Sequence, residues 1–199
     1  MALITEIIPE QNFEQVTKRL AAILLTELSN QITLQTLNWD LGVFLERTTP
    51  FDKSEDIICN VTCNSINENS STTSQSMYGN QFFIDFMTRG YQSVIQLSDN
   101  NSDLKLKKIA GFSRYILTNI KYKTLSFTPG FIGGVYVSSI DFEDNLGNQD
   151  GAAVRACRLT LSVRINENQS MDDPLNFDGN DTEIKLHNTN KGQQLIFNT

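Results

Sequence analysis

Cys157, Leu159, Leu161, Val163 and Ile165 alternate with Arg158, Thr160, Ser162 and Arg164. A strict period of two over that length demands an extended strand with one apolar face and one basic face. Such a strand needs a sheet to sit in and a cover for its apolar side. Val135, Tyr136, Val137, Ile140 and Phe142 precede it in a second strand-like run, and the intervening Glu143 to Gly151 is rich in Asn, Asp and Gly, the residues of turns. The stretch from Gly134 to Glu167 therefore reads as a long antiparallel β-hairpin. It carries no catalytic constellation.

Two amphipathic helices are available as the cover. Phe13, Val16, Leu20, Ile23, Leu24 and Leu28 recur at three- and four-residue spacing, one apolar stripe on a helix. Pro9 suits its first turn, Glu10 and Glu14 lie near the positive end of its dipole, and Ser29-Asn30 offers a stop. A second helix is expected over Leu104 to Ile120, with Ile109, Phe112, Ile116 and Ile120 as its stripe and Ser102-Asp103 as its cap. Lys105, Lys107 and Lys108 crowd its first turns against the dipole preference, so either that end frays or the lysines have acidic partners.

The remaining strands are less regular. Thr33 to Thr49 reads as mostly extended and Ile57 to Cys63 as a strand. Gln81 to Arg89 is apolar on both faces, with Phe82, Ile84 and Phe86 on one and Phe83 and Met87 on the other, the pattern of a central strand. Between them, Asn64 to Met77 reads as a long polar loop. After Glu167 the apolar content drops. Asn168 to Asp181 reads as a linker or arm, and Thr182 to His187 with Gln193 to Phe197 as a small terminal hairpin that pairs either with its own sheet or with another subunit. The fold class is α+β: an antiparallel or mixed sheet covered by two helices in residues 1–167, followed by a C-terminal extension in 168–199.

Chemistry is excluded more readily than found. A formal charge of -7 and a pI near 4.7 argue against a protein that grips nucleic acid by neutralising phosphates. No run reaches the roughly 20 apolar residues of a membrane helix, and Met1 to Ile8 lacks the features of a secretory signal, so synthesis and residence in a cytosol are expected. Cys59 and Cys63 fall too far apart on one strand for a disulfide and read as small buried hydrophobes. The single His187 reads as an exposed polar residue and supplies too little for a zinc site. The acidic run from Asp172 to Glu183 fails the calcium-loop template at both ends. Asp85, inside an apolar strand, reads as surface-exposed or paired with an arginine rather than as a catalytic carboxylate. No catalytic, cofactor-binding or metal-binding residue is assigned. One alternative is a small-molecule-binding module with a pocket lined by Phe82, Phe86, Trp39 and Phe112. An enzyme finds no nucleophile and base to work with.

The order of elements, with Arg114-Tyr-Ile-Leu117, Val137-Ser-Ser-Ile-Asp-Phe-Glu143 and the strand Leu159-Thr-Leu-Ser-Val-Arg-Ile-Asn-Glu167, resembles the tail terminator, or tail-completion, proteins of long-tailed bacteriophages. The resemblance covers roughly residues 10–167 and rests on topology and hydrophobic pattern. It implies a structural virion protein, made in the host cytoplasm. Its subunits would form a ring, hexameric by expectation, that caps the tail tube and joins it to the neck or connector proteins. It implies no cofactor and no membrane, and DNA that passes through without specific binding. Acidic composition is compatible with such a passage. On this reading Arg158 and Arg164, on the strand face turned away from the helices, meet Asp141, Glu143 or Asp144 of a neighbouring subunit.

Overall fold

The computed structural model describes residues 7–8, 10–49, 51–52, 54–71, 75–91, 97–143, 148–149, 152–168, 185–189 and 192–196. Helix α1 (Asn12–Leu34) begins where the Gln11 amide donates to the Glu14 carboxylate at 2.8 Å, the acidic half of a capping box. It buries Val16, Leu20, Ile23, Leu24, Leu28 and Ile32. The expected stop at Ser29-Asn30 is overridden. Ile32 continues the stripe one turn past Leu28 and is buried, so tertiary packing carries the helix through weak helix formers. Thr33 and Leu34 are consequently helical, and the extended segment behind them is only β1 (Leu41–Leu45).

Strand β2 (Ile57–Ser71) pairs parallel to β1 and antiparallel to β3 (Gln75–Tyr91). The polar stretch from Asn64 is therefore not a loop. It continues β2 to Ser71, and β3 resumes at Gln75. Asn and Ser have poor strand propensity, and cross-strand pairing is what makes them extended: β3 is held along its whole length by β6 (Ala152–Asn168), from Gln75 opposite Asn168 to Tyr91 opposite Ala152. Strand β4 (Ile132–Glu143) pairs antiparallel with the other side of β6, and β5 (Asn148–Gln149) adds two further pairs. The sheet order is β1-β2-β3-β6-β4, which puts β3 at the centre, as its two apolar faces require.

Helix α2 (Ser98–Thr118) begins ahead of the expected Leu104 and ends before Ile120. Ser102 is not its cap. It is buried inside the helix, its hydroxyl donates to the Asp99 carbonyl, and its own carbonyl accepts from Thr88 Oγ1 at 2.9 Å. Ile120 falls in a following 3-10 turn and is 87% exposed. Two of the three lysines have acidic partners, Lys105 reaching Asp56 at 2.6 Å and Lys107 reaching Asp103 at 2.7 Å, while Lys108 lies 5.8 Å over the Trp39 and Phe112 rings. Lys105 thereby ties the start of α2 to the start of β2. A glycine makes that approach possible, since a Cβ on Gly90 would stand 2.2 Å from the Ser98 carbonyl oxygen.

Both helices pack on one face of the sheet. There Val16, Leu20, Leu24, Leu28, Leu106, Ile109 and Leu117 meet Ile57, Cys59, Val61, Phe82, Ile84, Phe86, Leu159, Leu161, Val163 and Ile165 in a single core. Each such side chain contributes about 1.5–3 kcal/mol by leaving water. The terminal strands β7 (Lys185–Thr189) and β8 (Gly192–Ile196) form a separate two-stranded sheet. The acidic run Asp172 to Glu183 lies wholly outside the described residues, and so does the side chain of His187.

Candidate interaction face

The sheet's second face carries the polar half of every alternating strand. Strand register places Phe44, Asn60, Asp85, Arg158 and Asp141 in one row across all five strands. The next row holds Thr62, Phe83, Thr160 and Ser139, and the one after it Ser65, Gln81, Ser162 and Tyr136. The basic side of β6 therefore points away from the helices, as its period requires, while Leu159, Leu161 and Val163 are fully buried beneath them.

Arg158 is engaged inside its own chain. Its Nε and Nη2 donate to the two Asp85 carboxylate oxygens at 2.7 and 2.9 Å, and its guanidinium lies 4.2 Å from the centre of the Phe83 ring. This is a bidentate, stacked arginine. The Asp85 hydrogen bonds, then the charges of Glu143 and Asp141, raise its pKa further above the ordinary arginine value. The Asp141 carboxylate accepts from Ser139 Oγ at 2.8 Å. Asp85 is thus paired with an arginine. Arg158 is therefore not a free cation waiting for a neighbour's Asp141 or Glu143: its fork is filled by a carboxylate two strands from its own Asp141, and only its remaining exposure is available to a neighbour.

Arg164 lies three rows away and is exposed, its stem so close to β4 that a Cβ on Gly133 would stand 2.9 Å from Arg164 Cδ. Glu143 is exposed at the end of β4, opposite Ala156. Asp144 lies outside the described residues. The fold therefore brings Arg158 and Asp141 together, keeps Glu143 close, and separates Arg164 from all of them.

A second arginine device went unread in the sequence. Arg47 lies 4.4 Å over the Phe44 ring and makes a bidentate pair with Glu55 at 2.5 and 2.9 Å. Its backbone N–H donates to Asn60 Oδ1, and the Asn60 amide donates back to its carbonyl. The pair holds the segment between β1 and β2 back over this face, with Phe51 over Arg89. At that end Ile58, Val154 and Ala156 are buried. An Asn inside an apolar strand was the available signal. The Arg47 hydrogen bonds hold the Glu55 carboxyl below the usual carboxylate range.

The aromatic pocket is not where it was expected. Phe82 and Phe86 are fully buried core residues, and Trp39 and Phe112 pack against the core. A cleft of about 220 Å³ lies instead between the ends of the two helices, where Glu27, Gln31, Phe112, Tyr115, Lys121 and Tyr122 line it. Glu27 accepts from the Tyr122 hydroxyl and from Lys121 at 3.0 Å. Those two donors, the hydroxyl first, hold its carboxyl below the usual range.

Burial pushes the Cys157 thiol up to about 12 and the Cys59 thiol higher still. Among the described residues no three His, Cys, Asp or Glu side chains are grouped to hold a metal ion, and no helix is long and apolar enough to cross a membrane. No protein-family model matches this sequence, and a search among curated proteins finds no relative.

Proposed function

We propose that the chain is a structural virion protein, a tail terminator or head-tail neck subunit. In this role it assembles into a ring, hexameric by expectation, that caps the tail tube, joins it to the neck proteins and lets DNA pass without holding it. The work is mechanical, with no substrate and no cofactor. The observation that carries the reading is the reach of the sheet. Strands β3 and β6 are 17 residues each and β2 is 15, against about 5–6 for an ordinary strand. Two helices cover one face, and among the described residues most of the second face and both lateral edges are left to other contacts.

That shape suits a subunit whose stable form is completed by its neighbours. The charge of -7 suits a channel that must not retain phosphates. Light scattering on the purified full chain tests the proposal: a multiple of the chain mass is expected. A thermal stabilisation by small molecules, with the protein monomeric throughout, would favour a binding module instead.

A further inference from the structure

We infer that the outer edge of β4 receives the C-terminal β7–β8 hairpin of a neighbouring copy, an inference that rests on the ring reading. Strand β4 is bonded to β6 on one side, and among the described residues no strand lies on the other. Natural edges are commonly blunted with Lys, Pro, other charges, bulges or a covering element. The β4 sequence IGGVYVSSIDFE has no Lys or Pro, both of its bulges lie before Ser139, and Tyr136 and Phe142 stand 62% and 49% exposed on it. The opposite edge is five residues of β1 with the Arg47–Glu55 clamp immediately behind it, and past Val61 it is the polar, twice-bulged outer side of β2.

The hairpin has the complementary need. Its strands β7 and β8 are five residues each and pair with one another, and an isolated two-stranded hairpin is marginal in water. Past the bulge between Val137 and Ser139, the run Ser139–Glu143 offers a flush edge of matching length. It carries Asp141 and Glu143 and no basic residue, whereas 185–196 carries Lys185 and Lys191 and no acidic one. Residues 169–184 join the hairpin to β6. At roughly 3.3 Å per residue they can span about 50 Å, more than the width of the sheet. Donor and acceptor are different surfaces, so the contact can repeat head to tail, the heterologous arrangement that closes a ring where the rotation between copies allows it.

The test uses the full chain with Phe142 replaced by photoreactive p-benzoylphenylalanine, mixed as denatured chains with an equal amount of uniformly ¹⁵N-labelled parent and refolded together. Irradiation and mass spectrometry should join the light peptide containing position 142 to a heavy peptide from 182–199, in a sample that sediments as a ring. A sample that sediments as a ring but cross-links only to its own light hairpin, or to another heavy segment, overturns the inference and leaves the ring reading standing. A sample that sediments as single copies overturns both. As a second measurement, Gln194→Pro in the full chain should abolish the ring and leave the thermal unfolding of the α+β domain unchanged. A ring that survives this substitution contradicts the inference.

Discussion

Arg158 shows how much of a residue's role its strand period can and cannot reveal. Alternation alone turns it away from the helices. Its partner Asp85 lies 73 positions earlier, and only the β3–β6 register, invisible in composition or period, brings the two together. The pair is intermediate in exposure, with Arg158 43% and Asp85 21% accessible. Its worth therefore falls between that of a surface pair and a buried one. Arg158→Met should cost about 1–2 kcal/mol in urea unfolding, and an Asp85→Asn, Arg158→Met cycle should show coupling between the two. Arg158→Glu should cost more, because it sets a like charge opposite both Asp85 and Asp141. Arg164→Glu, on an exposed side chain, should leave stability nearly unchanged and is the cleaner probe of assembly.

Glu27 and Glu55 have depressed folded-state pKa values, so their contribution to stability is present above about pH 4.3 and is lost as pH falls through the folded values. Glu27→Gln should lower stability at neutral pH, flatten the acid limb of the stability profile, and make progressively less difference as the pH falls. The thiols have the opposite sign. Cys59 and Cys157 have raised values, so their contribution is present below about pH 8.5 and declines as pH rises toward and through the folded values. At pH 8 a thiol reagent should leave both unmodified in the folded protein and react with all three cysteines, Cys63 included, in denaturant. Rapid native modification of Cys157 would contradict its burial.

At the scale of elements, the two faces of β6, the central place of β3 and the existence of both helices were legible, because burial imposes periods of 2 and 3.6. Element ends were not. Helix α1 runs past Ser29-Asn30 because Ile32 finds a place in the core, and α2 starts at Ser98 because Ser102 and Gly90 fit closely against one another. The polar halves of β2 and β3 were hidden for a different reason. Asn and Ser carry no strand signal of their own, and their extension comes from neighbours distant in sequence. Leu161→Ala, in the fully buried row, should cost about 2–5 kcal/mol. Gly90→Ala should cost about 1–3 kcal/mol or more by driving α2 off the sheet, measured as a fall in the urea midpoint with little change in its slope. A neutral Gly90→Ala would mean that α2 approaches β3 less closely than described.

For the whole molecule, the core joins α1, α2 and strands β1, β2, β3, β4 and β6, whereas β7 and β8 form their own sheet. A chain ended at Asn168 should therefore unfold cooperatively with the midpoint of the full chain, and a loss of cooperativity would place 169–199 in the core. With long strands, a β4 edge that no described strand covers and a mostly polar second face, a folded subunit is proposed to complete itself with further copies. Electron microscopy of the purified full chain at high concentration tests this most directly. The account predicts closed rings with an open centre wide enough for a DNA duplex, whereas fields of single 22.4 kDa particles at every concentration would contradict it.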